Sequence, residues 1–280
     1  MAGTYKILAN IGKGMTSQVY RAQDASGRQV AIKELLPEHR NDGKRLEGME
    51  REAGLMAELK SPHVVNLLEY DPDRFRMVLE LMPRSLRMAM QKEPFHYERR
   101  LRWAIDVSEA LGHLHAKRLV HKDIKPENIF LTADDRAKLG DFGFVEGEQG
   151  LMGKIRRIFV KPRIQGTISY LSPEQVRQRV LTTQADIFSW GSVLYEMFTG
   201  RRPFAVQGES LAAAVGANGA SLEILKMIKR AEPKSPRLFN KQIDPELEAL
   251  ILRCLMKNPH SRPDAAGVKS TLKRVLGKLA

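Results

Sequence analysis

The stretch from Thr183 to Thr199 is apolar on nearly every side of a helical wheel, with Ile187, Phe188, Trp190, Val193, Leu194, Met197 and Phe198 spread around it. Such a helix cannot rest on a surface, so it is expected to be buried, with Gly200 as its C-terminal cap. It needs a shell of other elements around it, and the chain supplies them. Helical spacing of Leu101, Ala104, Ile105, Ser108, Leu111 and His115 predicts a helix over Tyr97 to Lys117, and further helices are predicted over Pro245 to Met256 and Ala265 to Leu279.

The beginning of the chain follows another period. Ile7 to Asn10, Gln18 to Gln23 and Gln29 to Leu35 alternate apolar and polar residues between turn signals, which predicts consecutive antiparallel strands. Arg76 to Leu81 reads as a further strand, and at Met82-Pro83 the composition changes to helix formers. The chain therefore divides into a smaller β-rich part over residues 1–82 and a larger helical part over 83–280, an α+β arrangement. From about Asp42 to Lys60, Leu46, Met49, Ala53, Met56 and Leu59 recur at helical spacing. Glu52 falls on their buried side, while Glu47 and Glu50 face outward. Gly48 and Gly54 each cost this helix about 0.5 to 1 kcal/mol relative to Ala, so it is expected to be marginal unless braced.

With 280 residues, 42% of them hydrophobic and 28% charged, the chain can bury a substantial core. Its single cysteine, Cys254, excludes an intramolecular disulfide, fits a reducing compartment and reads as a small buried hydrophobe. No apolar run approaches the roughly 20 residues of a membrane span, and Met1 to Tyr5 lacks the features of a signal peptide, so a cytoplasmic location is expected. The excess of 46 Lys and Arg over 33 Asp and Glu gives +13, a charge that favours anionic partners without singling out nucleic acid.

The chemistry concentrates in His121-Lys122-Asp123-Ile124-Lys125-Pro126-Glu127-Asn128, followed thirteen residues later by Asp141-Phe142-Gly143. Moving a phosphoryl group needs a carboxylate to take the acceptor's proton, a cation to neutralise the phosphate, and hard oxygens to hold Mg²⁺. Asp123, Lys125 and the pair Asn128 and Asp141 match these needs in order. Upstream, Gly12-Lys13-Gly14-Met15-Thr16-Ser17-Gln18-Val19 would let backbone N–H groups approach phosphate oxygens. In Val30-Ala31-Ile32-Lys33, residues two apart share a face, so Ala31, Lys33 and Leu35 point together.

With these parts in order, the chain resembles the protein kinase family from about Tyr5 to Leu276, and Lys125 two residues after Asp123 looks like its serine/threonine branch. Tyr5 to Ile11 and Val19 to Asp24 are most similar to bacterial serine/threonine kinases. The resemblance implies a bilobal fold that holds ATP and Mg²⁺, or Mn²⁺ in its place, in a cleft between the lobes. It places Gly12, Lys13 and Gly14 over the phosphates, with Ser17 where the family has a third glycine, and Val19 and Ala31 as a roof over adenine. Lys33 would neutralise the α and β phosphates while paired with Glu52, the best match, with Glu50 and Glu47 as runners-up. Leu79 would be the gatekeeper, the backbone of Glu80 to Met82 the adenine-binding hinge, and Phe130 the floor of the pocket.

In the lower lobe, Asp123 would orient the acceptor hydroxyl and take its proton, Lys125 would stabilise charge on the transferred group, and Asn128 and Asp141 would hold the metal. Gly166-Thr167-Ile168-Ser169-Tyr170-Leu171-Ser172-Pro173-Glu174 is similar to the family's peptide-floor segment, with Ser172 in place of Ala. There Thr167 would bond Asp123 and Lys125, and Glu174 would pair with Arg262. Asp186 would anchor the backbone of the catalytic loop. Acceptors would be Ser or Thr residues of proteins, and a chain that begins at its first strand and ends on its last helix is expected to leave nothing for a sensor domain.

Two departures concern regulation. Lys122 stands where the family has Arg, losing a bidentate fork suited to phosphate, and Gly143 to Gly166 contains no Ser, Thr or Tyr. Activity is therefore expected not to depend on phosphorylation within that segment. The same segment carries Lys154, Arg156, Arg157, Lys161 and Arg163, so residues 154–163 form either a solvated loop or a dock for an acidic substrate or activator. His113 and His115 read as partly buried histidines rather than metal ligands, since no cluster of Cys or carboxylates accompanies them. The competing readings are a kinase-fold scaffold without turnover and a small-molecule phosphotransferase. Intact Lys33, Glu52, Asp123, Asn128 and Asp141 oppose the first; Thr167, Glu174 and Arg262 oppose the second.

Overall fold

The computed structural model describes residues 3–148, 168–205 and 218–279. Three consecutive antiparallel strands open it, β1 (Lys6–Lys13), β2 (Ser17–Gln23) and β3 (Gln29–Leu35), followed by helix α1 (Gly43–Glu58), β4 (Leu67–Asp71) and β5 (Arg76–Glu80). The strands form one antiparallel sheet in the order β1-β2-β3-β5-β4. At the β2–β3 turn the Asp24 carboxylate accepts from the N–H groups of Ser26 and Arg28, both at 2.9 Å, so the tight reversal is held by its own side chain.

Alternation along β3 divides the upper lobe. Val30 and Ile32 pack with Ala22 and Val78 on one face, while Leu35 meets Met49 and Ala53 of α1 on the other. Helix α1 begins at Asp42, whose carboxylate accepts from the N–H of Lys44 at 3.0 Å, and it buries Met49, Glu52, Ala53 and Met56. The stripe expected from the sequence is thus the one that faces the sheet. Beyond α1, residues His63 to Val65 are stitched to the lower lobe. The Leu139 N–H donates to the His63 carbonyl at 2.8 Å, and that of Val65 donates to the Leu139 carbonyl at 2.9 Å.

The lower lobe begins with β6 (Arg84–Ser85), α2 (Leu86–Lys92) and α3 (Tyr97–Ala116), followed by the short strands β7 (Leu119–Val120), β8 (Ile129–Leu131), β9 (Ala137–Leu139) and β10 (Glu146–Gly147). Helices α4 (Pro173–Val176), α5 (Thr183–Thr199), α6 (Asn218–Arg230), α7 (Pro245–Cys254) and α8 (Ala265–Gly277) complete it among the described residues. Helix α5 is the expected central element: every residue from Ala185 to Phe198 is buried. Gly200 caps it at φ 70°, a left-handed conformation that costs glycine no Cβ clash. Two buried serines of α5 are satisfied within the helix, Ser189 and Ser192 bonding the carbonyls of Ala185 and Phe188, each at 3.2 Å. Trp190 donates to Ser108 of α3 at 3.2 Å, tying the two long helices together. An antiparallel sheet carrying one helix above a mainly helical body is the bilobal α+β architecture expected from the sequence.

The distant pair Glu174 and Arg262 is formed and buried. Arg262 donates from both guanidinium nitrogens to the two carboxylate oxygens, at 2.6 and 3.0 Å, and it also reaches the carbonyls of Gln184 at 2.7 Å and Met256 at 2.8 Å. Ser172 caps α4 reciprocally with Gln175, which gives the residue at the family's alanine position a structural task.

Candidate active site

Lys33 joins the two lobes. Strand pairing sets Gly12 opposite Val19, Val19 opposite Lys33, and Lys33 opposite Met77, which aligns the Gly-rich turn with the lysine across the sheet. The Lys33 ammonium donates to Glu52 Oε1 and Oε2 at 2.6 and 2.9 Å and to Asp141 Oδ1 at 3.1 Å. Burial alone would lower the lysine's pKa, but the adjacent carboxylates of Asp141 and Glu52 outweigh it and hold the group above its ordinary value. Lys33 likewise holds the Asp141 carboxyl below the usual range, whereas burial, against the pull of Lys33, pushes Glu52 up. Two carboxylates thus share one cation, leaving the cluster with surplus negative charge.

Asp123 lies on the loop between β7 and β8. Its Oδ2 accepts from Lys125 Nζ at 2.6 Å and from Asn128 Nδ2 at 2.9 Å. Asn128 Nδ2 also reaches the Asp123 carbonyl at 2.9 Å, so the amide nitrogen is committed and the amide oxygen is the atom left to meet a cation. Asp186 fixes this loop from beneath: its carboxylate accepts from the N–H groups of His121 at 2.8 Å and Lys122 at 2.9 Å, and it contacts His115 Nε2 at 3.0 Å. The buried His121 ring meets the Gly140 carbonyl at 3.2 Å and the edge of Phe142 at a centroid distance of 5.3 Å, linking this loop to the Asp141 segment.

The remaining site residues surround this pair of clusters. Gly14 donates to the Ser17 carbonyl at 2.8 Å, closing the turn that follows Lys13 at the end of β1. A Cβ on Gly12 would meet only Val19, at 3.7 Å, so the chain's own packing does not demand glycine there. Ala31 is buried, Val19 and Phe130 are half-buried, and Leu79 packs against the main core. At the expected hinge, Glu80 donates its N–H to the Asn66 carbonyl at 3.1 Å. Its carboxylate accepts from Lys138 of β9 at 2.7 Å and from the Asn66 N–H at 2.8 Å. Thr167 and the basic residues 154–163 lie outside the described residues.

Several partners were not read from the sequence. His115 is partly buried, as its sequence context predicts, and it braces Asp186; both residues stand out in the sequence, but no local pattern connects helices α3 and α5. The Glu80–Lys138 pair, the bond from Gln175 Nε2 to the Lys122 carbonyl at 2.8 Å and the ion pair between Lys122 and Glu146 carried no sequence signal. Among the described residues, no group of three or more His, Cys, Asp or Glu side chains could hold a metal, and no helix is long and apolar enough to cross a membrane.

The family model described as protein kinase domain matches residues 5–272. The chain is 31% identical over 277 residues to a probable serine/threonine-protein kinase of Streptomyces coelicolor, with 95% of this chain and 39% of that one covered. It is also 31% identical over 271 residues to the serine/threonine-protein kinase PrkC of Bacillus subtilis, covering 95% and 39% of the two. A third relative, serine/threonine-protein kinase A of a Synechocystis species, is 31% identical over 288 residues, covering 96% of this chain and 52% of that protein. This chain therefore belongs to the protein kinase family. It spans between about two fifths and one half of the length of these relatives.

Proposed function

We propose that this chain is a serine/threonine protein kinase that transfers the γ-phosphoryl group of ATP to a protein hydroxyl. The observation that carries this reading is the meeting of Lys33 with both Glu52 and Asp141 above a loop on which Lys125 and Asn128 converge on one oxygen of Asp123. On this reading residues 1–82 form the nucleotide-binding lobe and 83–280 the lobe that holds catalytic loop and acceptor. Lys33 orients the α and β phosphates, and Glu52 keeps its ammonium in place. Gly12, Lys13 and Gly14 cover the phosphates, and the space beside Gly12 supports a ligand's close approach. Val19, Ala31, Leu79 and Phe130 enclose adenine, with Met82 and the Glu80 carbonyl at its edge.

Asp123 accepts the proton of the acceptor hydroxyl, Lys125 balances charge on the phosphoryl side, and Thr167 bonds both of them. The oxygen-only donor pair of Asn128 and Asp141, next to surplus negative charge, fits Mg²⁺, which takes few protein ligands and completes its shell from phosphates and water. Mn²⁺ fits the same donors. When bound, the ion would neutralise phosphate charge. A cytoplasmic location accords with the single cysteine. With no hydroxyl residue between Gly143 and Gly166, activity is independent of phosphorylation there, and the basic run 154–163 is the candidate dock for an acidic substrate or activator.

The direct test is transfer of label from γ-labelled ATP to a generic protein acceptor such as casein. Wild type should yield phosphoserine and phosphothreonine, and Asp123→Asn should lower the rate by about a hundredfold or more. A wild-type chain that binds ATP yet transfers nothing would instead be a nucleotide-binding scaffold.

A further inference from the structure

Lys122, immediately before Asp123, is engaged at every polar atom. Its N–H donates to Asp186 Oδ1 at 2.9 Å, its carbonyl accepts from Gln175 Nε2 at 2.8 Å, and its ammonium meets the Glu146 carboxylate. Its backbone lies in the left-handed region at φ 70°, a conformation a lysine keeps only when its surroundings hold it there. Only 8% of its side chain reaches solvent, against 37% for Glu146. An ammonium so enclosed needs a counter-charge; left alone, it would be relieved most readily by movement of the loop that also carries Asp123.

Glu146 is delivered by backbone pairing. Strand β10 runs antiparallel to β7, with Glu146 opposite Val120 and Gly147 opposite Leu119. Two residues on, the Glu148 N–H donates to the Arg118 carbonyl at 2.6 Å and its carboxylate accepts from the Thr183 N–H at 3.4 Å, which extends the attachment toward α5. The start of the segment after Asp141 is thus sewn to both ends of the β7 strand, and among the described residues it sets a carboxylate against the Lys122 ammonium.

We propose that Glu146 is a positioning residue: a permanent anion that acts through Lys122 to hold the catalytic loop, and with it Asp123, in working geometry without any modification. No residue from Gly143 to Gly166 can carry a phosphate on a hydroxyl, and the anion this segment sets against Lys122 is an encoded carboxylate. The inference rests on the phosphotransfer reading of Asp123, but the hold of Glu146 on the loop has a readout of its own.

The test compares wild type, Glu146→Gln, Glu146→Asp, Lys122→Met and the double variant Lys122→Met/Glu146→Gln in steady-state transfer and in amide hydrogen exchange over residues 119–128. Glu146→Gln should lower kcat about tenfold or more while the KM for ATP stays within about threefold, and Glu146→Asp should retain most of the rate. In the Lys122→Met background, the change at Glu146 should alter kcat by less than about twofold, because its only route of action is gone. Exchange across the loop should quicken in Glu146→Gln and return to slow in the double variant. Equal losses in both backgrounds, or an unaltered kcat in Glu146→Gln, would overturn the proposal. If Glu146→Gln does not fold, the double variant decides: a folded chain with a slowly exchanging loop supports the proposal, and a collapsed or fast-exchanging one refutes it. A wild type that transfers no phosphate while the exchange coupling persists would sink the kinase reading and leave the hold of Glu146 on the loop standing.

Discussion

Lys257 places its ammonium 4.1 Å from the centre of the Phe204 ring and 5.6 Å from that of Phe188, and among the described residues its Nζ has no hydrogen-bond partner. Burial, with Arg262 and Arg177 nearby and only Glu232 opposing them, brings its pKa down to about 8. The two ring faces attract the charge but return less than lost hydration removes. An unfolded chain keeps this proton to about pH 10.4, so between pH 8 and that limit the unfolded state binds more protons and the fold gains stability as pH rises. Lys257→Met should therefore melt higher than wild type at pH 7, and the gap should narrow between pH 8 and 10 in parallel thermal melts. Sequence alone did not reveal this lysine, since its aromatic neighbours come from α5 and the loop beyond it. Asp123, Lys125 and Asn128, which the structure brings together, stood out in the sequence because they lie within six consecutive residues. The contact of Glu146 with Lys122 did not, because it depends on a two-residue strand too short to leave a periodic trace.

Helix α1 shows what periodicity can and cannot deliver at the level of an element. The spacing of Met49, Ala53 and Met56 gave its inward face and placed Glu52 upon it, as the structure has it. The same reasoning read α3 and α5 nearly to their ends, whereas β7 to β10, with two or three residues each, and the seven-residue α2 offered too little pattern to detect. Gly48 and Gly54 sit in α1 with nothing within 4 Å of an added Cβ, so alanine fits at both without contact. Gly48→Ala and Gly54→Ala should each stabilise the helix by about 0.5 to 1 kcal/mol, read as a higher denaturant midpoint at constant slope. A lower midpoint would mean that an unseen contact occupies that face.

For the molecule as a whole, the Glu174–Arg262 pair joins segments 88 residues apart, and only the family resemblance allowed it to be foreseen. Arg262→Ala would leave a buried carboxylate alone and should cost about 3 to 5 kcal/mol in equilibrium unfolding. Helices α5 and α7 approach so closely that a Cβ on Gly191 would fall 2.6 Å from the Cβ of Cys254, which seals the thiol between them. Burial pushes that thiol up to about 12, so at pH 8 it should resist alkylation in the folded chain and react as one equivalent after denaturation. Labelling of the native protein at the rate of a free thiol would contradict this packing.

The stitching of His63 and Val65 to Leu139 has a mechanical meaning. It makes the base of α1 a fulcrum on the lower lobe, with Glu52 about 10 Å along the shaft and Gly43 about 24 Å along it, at 1.5 Å per residue. Anything that nudges the far tip by roughly 7 Å swings Glu52 by roughly 3 Å, enough to part it from Lys33. The crank that could part Lys33 from Glu52 therefore begins at Asp42 and Gly43, on the outside of the molecule and far from the pair it would govern.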